Sequence, residues 1–237
     1  MNSSVDLAAF ASADPEVRRD AFLEFALSYG VLRFGDFELK SGRRSPYFFN
    51  AGGFDDANAM AMLGAAYAAA IVASGIEFDV LFGPAYKGIP LAVATGVALA
   101  RDHGVNCGIA FNRKERKDHG EGGQMVGAPL VGRILLVDDV ITAGTAVREV
   151  LPLIGDAGGT LVGILTALDR QERGQDRRSA TEELAQTLQV PVESIVTLAD
   201  LIAWLGASGR QDELDQVAVY RQRYGSDAQG DAQGVGP

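Results

Sequence analysis

The sequence predicts an α/β domain with a central, mostly parallel sheet, helices on both of its faces, and a small N-terminal hood of antiparallel strands. From residue 80 onward, short apolar strands alternate with helical segments, a pattern typical of parallel sheets. Residues 134–137 are apolar throughout, as expected for a strand that is covered on both faces. Residues 34–50 are instead rich in aromatic residues and glycine around a Ser-Pro turn signal, which favours short antiparallel strands.

The elements follow in order along the chain. Asp14-Pro15-Glu16 has the composition of a helix start and predicts a helix to about residue 29. Further strands are predicted at residues 80–83, 106–111, 133–137, 161–168 and 192–196, and further helices at residues 57–74, 89–101, 145–155, 179–188, 197–205 and 213–224. One domain would span residues 15–225, after a flexible extension (1–14) and before a disordered tail (226–237) that has nothing to bury.

Composition narrows the classes of function. The 237 residues carry a net charge of -10, which disfavours nucleic acid and anionic membranes as partners. The one cysteine, Cys107, cannot form an internal disulfide, so a reducing compartment such as the cytoplasm is expected. The first residues also lack the basic start of a secretory signal. Residues 59–76 carry no charge, but their many alanines and their acidic flanks predict a buried core helix rather than a membrane span.

Residues 134–146 hold the most specific pattern. Asp138 and Asp139 follow the apolar strand, where ligands bind in open α/β sheets, and adjacent carboxylates can accept hydrogen bonds from vicinal hydroxyls such as those of ribose. The Thr-Ala-Gly-Thr run at 142–145 then opens a helix, and its small residues would let backbone amides approach a phosphate. The alternative is an acidic pair that merely caps a helix. Neither a Gly-Lys-Ser/Thr triplet nor a G-x-G-x-x-G helix start is present.

Basic residues mark other candidate sites. Of the 21 Lys and Arg residues only four are lysines, namely Lys40, Lys87, Lys114 and Lys117. Lys87 lies in a Gly-Pro turn (83–88) that either wraps a pyrophosphate or is an ordinary turn with a surface lysine. Residues 112–124 predict a charged, glycine-rich loop, which is either simply solvated or a lid over a polyanion. Arg170 follows a predicted strand on the sheet edge of Asp138 and either grips a carboxylate or is a commonplace arginine.

Taken together, residues 22–224 resemble the type I phosphoribosyltransferases, and among them the orotate phosphoribosyltransferases. The resemblance rests on FGDFELKSGRRSPYFFNAG (34–52), FGPAYKGIP (82–90), FNRKERKDHGEGG (111–123), VDDVITAGTA (137–146) and LDRQERG (168–174). It implies transfer of a phosphoribosyl group from phosphoribosyl pyrophosphate (PRPP) to orotate, which gives orotidine 5′-monophosphate and pyrophosphate in pyrimidine (UMP) biosynthesis. The alternatives are a PRPP-sensing regulator of the same fold and a phosphoribosyltransferase for another base.

The resemblance also implies roles for individual residues. Lys117, Asp138 and Asp139 would act in catalysis. The residues expected to bind PRPP are Lys40, Tyr86, Lys87, Arg113, Lys114, Lys117, His119, Asp138, Asp139, Val140, Ile141, Thr142, Ala143, Gly144, Thr145 and Ala146. Those expected to bind orotate are Phe48, Phe49, Thr142 and Arg170, although the aromatic pair also fits a core cluster. A cis Ala85–Tyr86 peptide is implied, as is Mg²⁺ held mainly by PRPP and water with no direct protein ligand. The chain would form a homodimer that shares the lid loop between subunits.

Overall fold

The computed structural model describes residues 7–39, 41–117, 123–142, 144–174 and 177–226, without the side chains at positions 116, 117 and 123. Three predicted site residues, Lys40, His119 and Ala143, lie outside the described residues, as does the predicted tail beyond residue 226. The helices α1 (Leu7–Phe10) and α2 (Pro15–Ser28) come first, and the strands β1 (Leu32–Glu38) and β2 (Arg44–Phe49) then pair as an antiparallel sheet.

The helix start predicted at Asp14 is confirmed, because the Asp14 side chain accepts a hydrogen bond from the Glu16 amide and Pro15 opens the helix. The expected flexible extension is wrong for residues 7–10, which form α1. Phe10 is only 3% exposed, and its ring meets that of Phe25 edge-on at 6.3 Å. Burial of this ring holds α1 against the core, since a large aromatic side chain contributes strongly to a core.

A six-stranded sheet forms the centre of the domain. The remaining elements are α3 (Ala57–Ser74), β3 (Val80–Gly83), α4 (Gly88–His103), β4 (Gly108–Lys117), β5 (Gly123–Gly127), β6 (Gly132–Asp138), α5 (Thr145–Asp156), β7 (Gly159–Asp169), α6 (Ala180–Leu188), β8 (Val192–Thr197), α7 (Leu198–Ala207) and α8 (Gln211–Tyr224). The strand order is β5-β4-β3-β6-β7-β8, and every neighbouring pair is parallel except β4 and β5. The predicted fold class is confirmed.

Two apolar clusters cover the two faces of the sheet, and β6 contributes to both. Leu135 and Val137 join the larger cluster, on the face of α3 and α4, whereas Ile134 and Leu136 join the smaller one beneath α5 and α6. Successive side chains of a strand point to opposite faces, so a strand covered on both sides must be apolar at every position. The run of apolar residues before the acidic pair is therefore explained by burial of β6 on both faces of the sheet.

The uncharged helix α3 is a core helix. By length and composition alone it could cross a membrane, but half of its residues are buried inside the domain. It packs directly on α4, where a Cβ added to Gly64 would lie 2.4 Å from the Ala94 carbonyl oxygen. The small residues that made this stretch look span-like are those that let the two helices approach so closely.

The loop predicted over residues 112–124 is wrong at both ends. β4 continues through Lys117 and β5 begins at Gly123, and the two pair as antiparallel neighbours with Asn112 opposite Met125. Charged residues and glycines have low strand propensity, but the ladder of backbone hydrogen bonds between neighbouring strands overrides it. The charged segment is thus a hairpin whose tip, residues 118–122, lies outside the described part of the chain.

Candidate active site

The acidic pair, Asp138 and Asp139, stands at the carboxyl edge of the sheet where β6 ends. The Asp138 carboxylate accepts a hydrogen bond from the Asp139 amide at 2.9 Å, and the Asp138 carbonyl accepts one from the buried Tyr67 hydroxyl at 2.7 Å. Burial, and next the charge of Asp139, raise the pKa of Asp138 to about 6. The backbone of the pair is therefore held in place, and one of its carboxylates changes charge in mildly acidic solution.

The segment after the acidic pair enters α5 through a glycine. Gly144 is the N-cap residue with a left-handed φ of 67°, and a Cβ there would lie 2.9 Å from Leu184 Cδ1. Because the N-cap has no side chain, the alternative in which the acidic pair caps this helix is wrong. Ile141 is buried, whereas Thr142 and Thr145 are exposed. A buried anchor followed by exposed hydroxyls and a bare helix start suits a bound phosphate.

Lys87 reaches the acidic pair from the neighbouring strand. Its Nζ lies 2.7 Å from Asp139 Oδ2 and 3.2 Å from Asn50 Oδ1. The lysine and the acidic pair, predicted as separate motifs, thus form one site although Lys87 and Asp139 are 52 residues apart. Asn50 was missed by the sequence reasoning. Its only signal was its place at the end of the aromatic motif, and spacing does not reveal contacts between distant segments.

The turn that carries Lys87, here called the Lys87 turn (residues 83–88), is packed to backbone contact. A Cβ added to Gly83 would lie 2.0 Å from the Gly88 carbonyl oxygen, so only glycine fits at that position. The Ala85–Tyr86 peptide is cis, as the resemblance implies. The Ala85 amide donates to Asn112 Oδ1 at 2.9 Å, which fastens the turn to β4.

The β4–β5 hairpin places further basic residues beside the Lys87 turn. Tyr86 is 63% exposed, and Lys114 Nζ lies 5.3 Å from the centre of its ring. Arg113 precedes Lys114 on the same strand, and the backbone of Lys117 ends it. Three of the predicted lysines therefore belong to two adjacent segments, the Lys87 turn and β4.

Arg170 directly follows β7, next to β6, so its predicted place on the edge of the acidic pair is confirmed. Its side chain is 11% exposed. The guanidinium Cζ lies 4.2 Å from the centre of the Tyr47 ring, Nη2 donates to Ser45 Oγ at 3.0 Å, and Nε donates to Glu172 Oε1 at 2.6 Å. These four residues are here called the Arg170 cluster. The sequence predicted the arginine but missed the partners that hold it.

Phe48 and Phe49 lie on opposite faces of β2. The Phe49 ring packs toward the core, 6.4 Å from Phe22, whereas the Phe48 ring lies 5.4 Å from Phe37 on the other face. Two consecutive strand residues cannot place both rings on one flat ligand. At most one of the two rings can stack on a base, and the core-cluster alternative fits Phe49.

Comparison with known proteins identifies the family. A profile of the phosphoribosyl transferase domain matches residues 51–195. The orotate phosphoribosyltransferase of Shigella dysenteriae is 57% identical over 205 residues, which cover 86% of this chain and 96% of that protein. The chain belongs to the orotate phosphoribosyltransferase family. A crystal structure of the Francisella tularensis orotate phosphoribosyltransferase matches with a TM-score of 0.80 and 40% identity, covering 86% of this chain and 99% of that one.

A more distant member of the orotate phosphoribosyltransferase family shares the fold. The Mycobacterium tuberculosis enzyme, solved in complex with PRPP, matches with a TM-score of 0.58 and 22% identity over 78% of this chain and 98% of that one. The matches favour the enzyme over a PRPP-sensing regulator of the same fold and over an enzyme for another base, because these relatives are orotate phosphoribosyltransferases.

Proposed function

We propose that this protein transfers the 5-phosphoribosyl group of PRPP to orotate, releasing pyrophosphate and forming orotidine 5′-monophosphate for pyrimidine synthesis. One observation carries the proposal. The 2.7 Å contact between Lys87 Nζ and Asp139 Oδ2 unites a cation on a pyrophosphate-type turn with an acidic pair suited to ribose hydroxyls. Both stand where parallel strands end, which is where ligands bind in this class of sheet.

The PRPP roles divide among three segments. Asp138 and Asp139 would accept hydrogen bonds from the ribose hydroxyls, and residues 140–146 would surround the 5′-phosphate with amides and threonine hydroxyls. Pyrophosphate would lie against Tyr86 and Lys87. The remaining expected pyrophosphate ligands are Lys40, Arg113, Lys114, Lys117 and His119. The 5.3 Å contact of Lys114 with the Tyr86 ring supports a common pyrophosphate region for β4 and the Lys87 turn.

The reaction breaks the bond between ribose C1 and pyrophosphate oxygen and forms one between C1 and an orotate ring nitrogen. Positive charge develops on the ribose, and negative charge on the departing pyrophosphate. Lys117, with Lys87, would stabilise the negative charge on the departing pyrophosphate. Because this charge is largest in the transition state, such cations raise the turnover rate. The carboxylates of Asp138 and Asp139, next to the bound ribose, would stabilise the positive charge that develops on it. The ring nitrogen that bonds to C1 loses its proton in this step, and the departing pyrophosphate, which gains negative charge, can accept it.

The Arg170 cluster would bind the base. A guanidinium can hold a carboxylate through two parallel hydrogen bonds, and orotate carries one carboxylate. Thr142 and the β2 residues Phe48 and Phe49 would complete the base site, the two phenylalanines partly through their backbone. The near-complete burial of Arg170 supports this role, since a desolvated cation discriminates strongly in favour of an anion.

The residues present fit Mg²⁺. This ion prefers oxygen ligands, keeps several waters, and usually takes one or two carboxylates in addition to substrate phosphates. Asp138 and Asp139 offer such oxygens beside the proposed PRPP site, so they would orient, through water, a Mg²⁺ ion that arrives with PRPP and is held mainly by PRPP oxygens and water. When bound, the ion would neutralise charge on the pyrophosphate oxygens.

A homodimer through the outer face of α4 is part of the proposal. Val93 and Val97 are 43% and 56% exposed one turn apart on that helix, which begins beside the exposed Tyr86. Exposed apolar residues in a contiguous row are typical of an interface. Because the face adjoins the Lys87 turn, a partner there could extend its β4–β5 hairpin toward this site. Val97→Asp should convert a dimer to monomer in light scattering; an unchanged mass would place the interface elsewhere.

The proposal also covers the extent of the catalytic domain and the cellular location. Residues 15–225, with α1 packed onto them, form one catalytic domain, which is supported by the six-stranded sheet and the two apolar clusters on its faces. The protein works in the cytoplasm, which is supported by a free, half-buried Cys107 that suits a reducing compartment.

The test is an assay of the purified chain with Mg²⁺ and PRPP. Orotate should be consumed, seen as loss of its ultraviolet absorbance, and no loss should occur without PRPP. Glu24→Ala, on the exposed side of α2, is the control that keeps activity, whereas Lys87→Ala should lose most of it. Turnover of a purine base but not of orotate would overturn the substrate and spare the reaction class. If PRPP were not consumed with any base tested, both the proposed substrate and the proposed reaction class would be overturned.

A further inference from the structure

We infer that Glu172 is a positioning residue for Arg170, and that Tyr220 of α8 holds Glu172 in turn. The inference rests on the proposed function, because it assigns these residues to orotate binding. It makes the C-terminal helix, for which the sequence suggested no function, a part of the base site.

Glu172 fixes the plane of the Arg170 guanidinium. Its Oε1 accepts from Nε at 2.6 Å, and the two side chains are only 15% and 11% exposed. Ser45 holds Nη2, and the Tyr47 ring covers one face. Tyr220 also interacts directly with the Arg170 side chain. A guanidinium has five N–H donors in one plane, so holding Nε aims the outer edge, Nη1 and Nη2, in one direction.

Glu172 is itself held from two other directions. Tyr220 Oη donates to Oε1 at 2.8 Å, and Arg43 Nη1 lies 3.3 Å from Oε2. Tyr220 is 5% exposed, and burial followed by the charge of Glu172 raises its pKa to about 12, so its hydroxyl keeps its proton. A carboxylate with three donors from three segments has little freedom to rotate, and it passes that rigidity to Arg170.

The end of α8 is also fastened to the backbone around Glu172. The Arg173 amide donates to the Tyr224 carbonyl, and the Ser226 amide donates to the Gln171 carbonyl, each at 2.8 Å. Residue 172 also forms an isolated β-bridge with Gly225. The segment that carries Arg170 is therefore attached to α8 through backbone as well as side chains.

Charge and position predict opposite results when Glu172 is removed. Arg170 and Arg43 share the one Glu172 carboxylate, which leaves one positive charge in this largely buried group. Removing the carboxylate would leave two, and charge alone would then bind anionic orotate more tightly. If Glu172 positions Arg170, orotate instead binds more weakly, because the guanidinium is free to turn.

The experiment measures KM and kcat for orotate and for PRPP. Glu172→Ala should raise the KM for orotate about tenfold, the value of one hydrogen bond to a charged group, with the KM for PRPP nearly unchanged. Glu172→Gln, which keeps an acceptor oxygen, should recover part of this loss. Tyr220→Phe should raise the orotate KM about threefold, because the lost hydroxyl holds Glu172 and also contacts Arg170. Tyr224→Phe, one turn along α8, is the matched control and should behave as the wild type.

A double-mutant cycle with Arg170→Ala decides the route of the effect. In that background Glu172→Ala should have no further effect on the orotate KM, because there is no guanidinium left to aim. Independent, additive losses would overturn the inference. So would an orotate KM that falls or stays constant in both Glu172→Ala and Tyr220→Phe while the wild type turns over orotate. A wild type that does not use orotate would instead overturn the proposed function, and the inference with it.

Discussion

The Lys87 turn and the Arg170 cluster hold their cations in opposite ways. The Lys87 side chain is 55% exposed, and its ammonium is held by Asp139 and Asn50. The Arg170 side chain is 11% exposed and is held by an acid, a hydroxyl and an aromatic ring. An exposed ion pair can give up its partner for a ligand at little cost in free energy. A buried cation whose hydrogen bonds are made is instead already oriented before the ligand binds. One region can follow a polyanion whose charge changes during the reaction, and the other can select a small flat acid.

The largest expected effect tests the proposed pyrophosphate region, to which Lys117 of β4 is assigned together with the exposed Lys87 turn. Lys117→Ala should lower kcat about 100-fold or more, as expected when a group that stabilises transition-state charge is removed, with little change in the orotate KM. Steady-state kinetics in both substrates measure this. Equal loss in kcat and in orotate affinity would contradict a role limited to the leaving pyrophosphate, and would join the two regions into one.

Arg170→Ala tests the preorganised region. It should raise the orotate KM by roughly 30-fold or more, the value of losing a charge-assisted pair of hydrogen bonds, with the PRPP KM within about twofold. Glu24→Ala, on the exposed side of α2, is the surface control. If Arg170→Ala changed the KM of PRPP as much as that of orotate, the contrast between the regions would not hold.

The pH dependence of stability separates the structural cost of Asp138 from its role in activity. The pKa of Asp138 is raised from 3.8 to about 6. Its protonated form therefore contributes to the free energy of unfolding in full below about pH 4, and this contribution is lost as the pH rises through 6 and the buried carboxyl ionises. Asp138→Asn should therefore be more stable than the wild type at pH 7.5, by on the order of 2 kcal/mol, and no more stable near pH 4. Denaturant melts across this range measure it.

The same substitution should lower activity, because an amide is a weaker acceptor for ribose hydroxyls than a carboxylate. Wild-type activity should also fall below pH 6, as Asp138 becomes protonated. Asp102→Asn is the control: Arg101 lowers the pKa of Asp102, so this variant should not gain stability at neutral pH. An Asp138→Asn variant that is less stable at pH 7.5 would show that the carboxylate is not strained by burial.

The smallest effect concerns the backbone of the Lys87 turn. Gly83→Ala forces a Cβ to 2.0 Å from the Gly88 carbonyl oxygen and should destabilise the fold by about 1–3 kcal/mol, with a raised PRPP KM. Gly155→Ala, within α5 and with open space around its Cβ, should be neutral or stabilising by up to about 1 kcal/mol. Equal effects of the two would mean that the turn adapts without cost.

Local patterns predicted much of the fold. The apolar run of β6 and the Asp14–Pro15 helix start were identifiable because burial on two faces and end-capping act on neighbouring residues. β4 was missed beyond residue 111, because its charged residues are strand only by virtue of pairing with β5. Phe10 was missed for a similar reason, since its burial depends on α2, and a segment of only four residues contains no sign of that partner.

The site was predicted as parts but not as an arrangement. Asp138, Lys87 and Arg170 each stood out by residue type and by position after a strand. The contacts that decide their behaviour, such as Asn50 with Lys87, join segments that sequence spacing does not relate. Glu172 lies only two residues from Arg170, yet its distance along the chain did not indicate a contact that depends on how the chain turns after β7.

The ion pair between Lys87 and Asp139 has a consequence for selectivity among cellular anions. Each charge is quenched by the other until a ligand replaces both partners. Free phosphate or pyrophosphate would bind Lys87 but leave Asp139 with only the Val140 amide, and a bare sugar would leave Lys87 with only Asn50. Only a molecule that presents an anion and a diol at the right separation satisfies both at once. On the proposed function, this contact would therefore favour PRPP over its separate anionic and sugar parts.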